Sequence, residues 1–286
     1  MEKKKNYKLK GHETFCIREG WLSKGLHAVV ENDRVFWEMY GADALGVGSN
    51  MAKAIRYWLK AAGLTVEEKG KGVALTEFGR LIYEKDPYLE EDFTLWCIHL
   101  NLVKNKEYAT SWYLFFHVFQ LEEFTKEEME EFLERELEKY IATKDFSTRS
   151  LKDDCTVLLQ MYARETGEEP DPEDKKICPL TVLGILRKSG NYYKRTQPDY
   201  NRFSAYVVLY LLESLWQKQD AISMEEFYSE AMGVHATLGV GFSAYQECLE
   251  TLVKEGYIDM NRTAGLDMIY RLQKKSINEI LKGYYK

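Results

Sequence analysis

Apolar residues recur at three- and four-residue spacing through Met51, Ile55, Trp58, Leu59 and Ala62. That is the period of one buried helical face. Ser49 is placed to cap this helix, because its hydroxyl accepts a bond from an orphan N–H of the first turn. Gly63 supplies the left-handed residue that ends it. Residues 64–68 then read as a strand, Lys69-Gly70-Lys71-Gly72 as a flexible tip and Val73-Ala74-Leu75 as the return strand. Thr76 caps the next helix, which carries Phe78 and Leu81 inward. A helix, a glycine stop and a short glycine-tipped hairpin, in that order, predict a winged helix-turn-helix.

The pattern occurs twice. Leu45-Gly46-Val47-Gly48 is matched by Leu238-Gly239-Val240-Gly241. Glycines 46 and 239, 48 and 241, 63 and 256, and 72 and 265 are each 193 residues apart. In the second copy Leu249, Leu252 and Val253 supply the apolar face, residues 257–260 one strand and residues 268–272 the other. Residues 17–83 and 203–273 are expected to superpose as two winged-helix units.

Between them the pattern is helical and rich in aromatics. Asp86-Pro87 breaks the preceding helix. Leu95, Trp96, Ile98, Leu100 and Leu102, then Trp112, Tyr113, Phe115, Phe116 and Phe119, mark two buried helices. Phe124, Met129, Phe132, Leu133 and Leu137 form the inner stripe of an acidic helix. Its glutamates are a solvated face, or mimic DNA charge, or hold a basic partner. Ser147 or Thr148 caps a further helix through Leu151, Val157, Leu158 and Tyr162. Residues 165–174 are polar, with two prolines and a glycine, and read as a loop. Arg187, Lys188, Tyr192, Tyr193, Lys194, Arg195 and Arg202 form a basic, tyrosine-rich stretch. Such interleaving grips a nucleic-acid backbone and stacks bases, or is a partly packed connecting loop or hairpin. The expected fold is mainly α. A winged helix over residues 1–86 and another over 203–286 flank a helical middle domain over 87–202.

At 286 residues and 45% hydrophobic, the chain supports two or three folded domains. No run approaches the roughly 18 apolar residues that cross a membrane, and no apolar segment follows Met-Glu-Lys-Lys-Lys-Asn. Five widely spaced cysteines fit free thiols in a reducing compartment. These features predict a cytoplasmic protein with no membrane partner. The formal net charge of −7 argues against a generally basic nucleic-acid binder, but the charge is uneven. Residues 122–140 hold nine glutamates against three basic residues. Residues 1–83 carry a net charge of +4 and residues 203–286 a net of −3.

That asymmetry separates the two copies. The first helix carries Asn50, Lys53, Arg56, Tyr57 and Lys60 on its expected exposed face, and its wing Lys69 and Lys71. The matched positions are Ser243, Gln246, Leu249, Glu250, Val253, Arg262 and Ala264. Neutralised phosphates supply most non-specific DNA affinity. The candidate duplex-DNA contacts are therefore Ser49, Asn50, Lys53, Arg56, Tyr57, Lys60, Lys69 and Lys71, and the second copy is better suited to packing against protein. The alternative for the same residues is an ordinary solvated helix face.

Chemistry of another kind is sparse. His12, Glu13 and Arg18 form a short functional cluster. A histidine beside a carboxylate serves as a base, and an arginine binds phosphate. The structural alternative pairs Glu13 with Arg18 and bonds His12 to a neighbouring carbonyl. No catalytic set completes the cluster. Cys97-Ile98-His99, Cys155 and Cys178 lack the spacing of a zinc site, so no metal or other cofactor is expected.

Gly11-His12-Glu13-Thr14-Phe15, Leu45-Gly46-Val47-Gly48, residues 54–59, Asp86-Pro87-Tyr88-Leu89-Glu90, Thr94-Leu95-Trp96 with His99, and Ser150-Leu151-Lys152-Asp153-Asp154 together carry a resemblance. They resemble the bacterial family called domain of unknown function 4007, nearly end to end. The family carries no established activity. Its members are often encoded beside DNA phosphorothioation or phage-defence genes, which implies a DNA-directed role. Three classes of function follow: a DNA-binding accessory or regulatory protein, a protein-interaction adaptor in such an assembly, and an enzyme whose site forms only in three dimensions.

Overall fold

The structure, a computed structural model, describes residues 5–37, 41–68, 70–165, 177–216, 220–263, 266–273 and 275–285. The expected loop therefore lies outside the described residues apart from Glu165, as do Lys69 at the first hairpin tip and Ala264 and Gly265 at the second. The chain divides into two compact units, Met1–Arg195 and Thr196–Lys286.

The first unit opens with α1 (Trp21–Glu31), the single-turn α2 (Ala42–Leu45) and α3 (Ser49–Ala61). Strands β1 (Thr65–Glu68) and β2 (Gly72–Leu75) form an antiparallel hairpin, with Thr65 opposite Leu75 and Glu68 opposite Gly72. Helix α4 (Glu77–Lys85) follows, capped by the Thr76 hydroxyl, which accepts from the Gly79 N–H at 2.9 Å. Helix α1 lies close against α3, because the position of a Gly25 side chain is filled by Leu59 and Ile55. Trp58 is wholly enclosed, and a buried aromatic of that size contributes about 3–5 kcal/mol relative to alanine.

Helices α5 (Asp92–Lys104), α6 (Thr110–His117), α7 (Lys126–Ile141) and α8 (Thr148–Tyr162) continue the same unit. The sequence breaks where predicted: Asp86 ends α4, and its carboxylate accepts from Glu90 N, Glu91 N and Thr94 Oγ1 to shape the turn into α5. From α5, Asn101 Nδ2 and Asn105 Nδ2 donate to Ala62 O and Ala61 O, satisfying orphan carbonyls at the end of α3. Thr125 and Glu128 make a capping box for α7, and Ser147 caps α8.

The middle region is not purely helical, which corrects the expectation. Strands β3 (Glu123–Thr125), β4 (Ala163–Glu165), β5 (Leu186–Ser189) and β6 (Tyr192–Arg195) form a sheet of order β3-β6-β5-β4, with β4 parallel to β5 and the other pairs antiparallel. Phe124 belongs to β3 and not to the acidic helix. Helix predominates, but three small sheets among the described residues make the fold a mixture of helix and strand.

The second unit contains α9 (Ala205–Leu215), β7 (Ala221–Ser223), α10 (Met224–Ser229), α11 (Val234–Leu238), α12 (Phe242–Lys254), β8 (Ile258–Thr263), β9 (Leu266–Arg271) and α13 (Ile277–Tyr284). Its sheet has the order β7-β9-β8. Glu213 and Arg271 pair at 2.5 Å and tie α9 to β9.

The helix of the repeat and two of its flanking glycine pairs match to the residue, whereas the hairpins do not: Thr65 stands opposite Leu75, but its counterpart Ile258 stands opposite Arg271 and not Met268. Helices α3 and α12 each span 13 residues and start 193 residues apart. Gly46 and Gly239 both take left-handed backbone, with φ of 62° and 66°, and Gly63 and Gly256 do so at the far end, with φ of 71° and 75°. No helix of the described residues is long and apolar enough to cross a membrane.

Candidate nucleic-acid interface

Helix α3 leaves its turn with Gly48 as the cap residue and no side-chain cap, so Ser49 is the first helical residue and not the predicted N-cap. Ser49 and Asn50 are exposed there, beside the free N–H groups of the first turn. Lys53 is half-buried, and its Nζ lies 3.5 Å from Asn50 Oδ1. One turn further, Arg56 Nε donates to Glu67 Oε1 at 2.7 Å, and Lys60 Nζ reaches Glu67 Oε2 at 3.3 Å. Glu67 stands on β1, so the hairpin folds a carboxylate back over the helix. Partial burial pushes this carboxyl up, but the Arg56 bond and charge, with Lys60, outweigh burial and hold it below its usual value. Lys60 also lies over the Tyr108 ring, 4.5 Å from its centre. Lys71 is exposed on the hairpin.

Tyr57 does not join this face, contrary to expectation. Its ring is buried, and its hydroxyl donates to Tyr108 O at 2.5 Å. Burial, with the nearby Asp154 charge, raises its pKa well above the ordinary value, so the phenol keeps its proton. The reason lies in Gly11: a side chain there would meet the Tyr57 ring at 2.3 Å. The glycine lets the N-terminal loop close over the tyrosine.

His12, Glu13 and Arg18 separate. His12 is fully buried, stacked on Trp58 at 5.5 Å and edge-on to Tyr57 and Trp112. Its Nδ1 accepts from Thr14 N at 3.1 Å, which leaves the Nε2 proton to donate to Asp154 Oδ1 at 2.9 Å. Asp154 also accepts from Lys10 N at 2.8 Å and Ser111 Oγ at 2.6 Å. Lys10 Nζ pairs with Asp153 at 2.7 Å. This network holds Lys10, Glu13 and Thr14 in left-handed backbone, with φ of 55°, 50° and 70°. Arg18 lies over Phe15 and Trp21 and makes no ion pair with Glu13. The expected bond from His12 to a carbonyl is thus replaced by a carboxylate 142 residues away. With histidine and aspartate enclosed, the cluster anchors the N-terminal loop to α3, α6 and α8 and offers no face to a substrate.

The sequence reading missed Asp154 and Ser111 as partners of His12, and Glu67 as the neutraliser of Arg56 and Lys60. Asp153-Asp154 stood among the resembling motifs, so a signal was present, but nothing local linked it to residue 12. All five cysteines are free thiols, and burial raises each of them, to about 11 for Cys248. Among the described residues no group of three histidine, cysteine, aspartate or glutamate side chains is placed to hold a metal ion.

The corresponding face of α12 is different. Ser243 and Glu250 are exposed, Gln246 and Val253 half-buried, and Leu249 buried. Tyr200 Oη accepts from Gly241 N at 2.9 Å, so part of the helix start is already occupied.

A family model described as protein of unknown function (DUF4007) matches residues 9–285. Two solved structures are similar to this chain. One, described as magnesium ion-bound SspB, has a TM-score of 0.85 and 23% identity, covering 97% of this chain and 87% of that one. The other, described as SspB, has a TM-score of 0.84 at the same identity and coverage. At this identity the likeness shows the fold. No curated protein matches the chain.

Proposed function

The chain belongs to the DUF4007 family, and from that premise we propose that it is a DNA-binding accessory or regulatory protein serving a DNA-modification or phage-defence system. We read residues 17–83 and 203–273 as winged helix-turn-helix units, and 1–86, 87–202 and 203–286 as functional segments. The first winged helix is the one that meets duplex DNA. The supporting observation is the contrast between matched helices. Helix α3 begins with exposed Ser49 and Asn50, continues with Lys53, Arg56 and Lys60, and is followed by a hairpin bearing Lys71. Helix α12 has the same length and glycine frame, with Gln246, Leu249 and Val253 where α3 has Lys53, Arg56 and Lys60. Asn50 at a helix start is suited to a base edge in the major groove, with lysine and arginine on phosphates.

A second reading is a protein-interaction adaptor without direct DNA contact. It is favoured by Glu67, which already engages Arg56 and Lys60.

Duplex binding measured by fluorescence anisotropy over a range of salt separates the two. Lys53→Ala with Arg56→Ala is expected to weaken binding and to flatten the salt dependence by about 0.9 units for each phosphate no longer neutralised. Gln246→Ala with Glu250→Ala is expected to leave both unchanged. A wild-type chain that binds no duplex at low salt hands the function to the adaptor reading.

A further inference from the structure

The four-stranded sheet of the first unit has two unlike faces. Its inner face carries Phe124, fully buried and stacked on Tyr193, and Arg195, which donates to Phe115 O and Phe119 O. Side chains alternate along a strand, so Lys194, Arg187 and Arg164 take the other face. The register sets them side by side: Glu123 opposite Lys194, Lys194 opposite Arg187, and Arg187 beside Arg164. All four are exposed. Three cations therefore stand in one row across adjacent strands, a row about 10 Å long, where like charges directly opposite cost stability.

None of the three cations forms an ion pair among the described residues. The neighbouring Lys188, on the opposite face, does so with Glu165 at 2.5 Å. The next row of the outer face holds Ser189 and Tyr192, paired across the hairpin. Tyr192 is 53% exposed. Gly190 turns the hairpin beside it, with φ of 57°.

We propose that this sheet face binds single-stranded DNA. The row of Arg164, Arg187 and Lys194 grips successive phosphates, and Tyr192 stacks on a base. The cations supply the attraction that any polyanion feels. The ring selects the strand state, because bases inside a duplex are already stacked and offer it no face, whereas a single strand does. The surface shares no residue with the α3 face, so the proposal stands apart from the duplex reading.

The test uses the full chain, a fluorescent oligothymidine and a duplex of mixed sequence, each titrated at several salt concentrations. Arg187→Thr with Lys194→Thr keeps strand-favouring residues at exposed sites. An unchanged or raised melting temperature confirms that the variant is folded. Its salt slope for oligothymidine is expected to fall by about 1.4 units, at about 0.7 per phosphate. Tyr192→Ala is expected to weaken oligothymidine binding by about tenfold with the slope unchanged. The proposal is overturned by a wild type that binds no oligothymidine at low salt. It is equally overturned if the folded double variant binds like the wild type, or if Tyr192→Ala changes nothing. The Lys53→Ala, Arg56→Ala chain reports on α3 separately: it should lose duplex binding while keeping oligothymidine binding, and loss of both to the same degree also overturns the proposal.

Discussion

Asp154 shows how much rests on one side chain. Its carboxylate takes bonds from Lys10 N, His12 Nε2 and Ser111 Oγ in the interior. Asp154→Ala leaves two buried donors and the half-buried Lys10 N–H without their acceptor, so the expected loss of stability is about 3–5 kcal/mol, read by urea denaturation. A loss under about 1 kcal/mol would mean the network is replaceable. Glu67 is the opposite case, a carboxylate whose removal should help function. Glu67→Gln releases Arg56 and Lys60, and is expected to raise duplex affinity and steepen its salt slope by about one to two units. Unchanged binding would remove both cations from the interface. The pH dependence has a definite sign. The folded pKa of Glu67 lies below the usual 4.5, so its pairing stabilises the fold above pH 4.5. That contribution is lost as pH falls through the lower folded value. Tyr57 marks the limit of reading residues from periodicity. Its place on α3 is compatible with an exposed or a buried site, and a loop 46 residues earlier in the chain, at Gly11, decides between them.

At the scale of elements, glycine carries two different jobs in one motif. Gly46 has left-handed backbone and open space around it, so Gly46→Ala costs backbone strain alone, about 1–2 kcal/mol. Gly79 in α4 has ordinary helical backbone, but a side chain there would meet the Leu64 carbonyl oxygen at 1.9 Å. Gly79→Ala must push the helix off the hairpin, and is expected to cost clearly more than Gly46→Ala in melting temperature. Equal costs would show that the α4 junction yields. The cap at Thr76, the stops at Gly63 and Gly256 and both hairpins were legible, because each depends on residues within one turn of the chain. Of the four-stranded sheet only the β5–β6 hairpin was legible, as one alternative for the basic, tyrosine-rich stretch; the pairing of β3 and β4 with it was not. The sheet's strands are three or four residues long, too short to show alternation, and β3 pairs with a segment about 70 residues away.

For the whole molecule, a net charge of −7 means that duplex binding must come from a local field. The α3 reading therefore predicts steep loss of binding with salt and little long-range attraction beyond a Debye length of about 8 Å at physiological salt. The first 86 residues and the middle region as far as Arg195 pack into one unit, joined by Asn101, Asn105 and the Tyr57–Tyr108 bond. That grouping depends on packing between segments some 40 to 50 residues apart, which no local pattern announces.

Read by itself, the chain determined what local forces decide. Helical period placed α3 and α12, left-handed glycines placed their ends, and the spacing of 193 residues matched one helix with the other. The nearly end-to-end family resemblance also came from residues alone. Tertiary structure decided which polar groups meet. It buried Tyr57, gave His12 to Asp154, set Glu67 against Arg56 and Lys60, and aligned Arg164, Arg187 and Lys194 on one sheet face. The physical reason is common to all four. A charge or hydroxyl takes its meaning from partners within a few ångströms, and in this fold those partners come from distant segments or from a hairpin folded back on its helix.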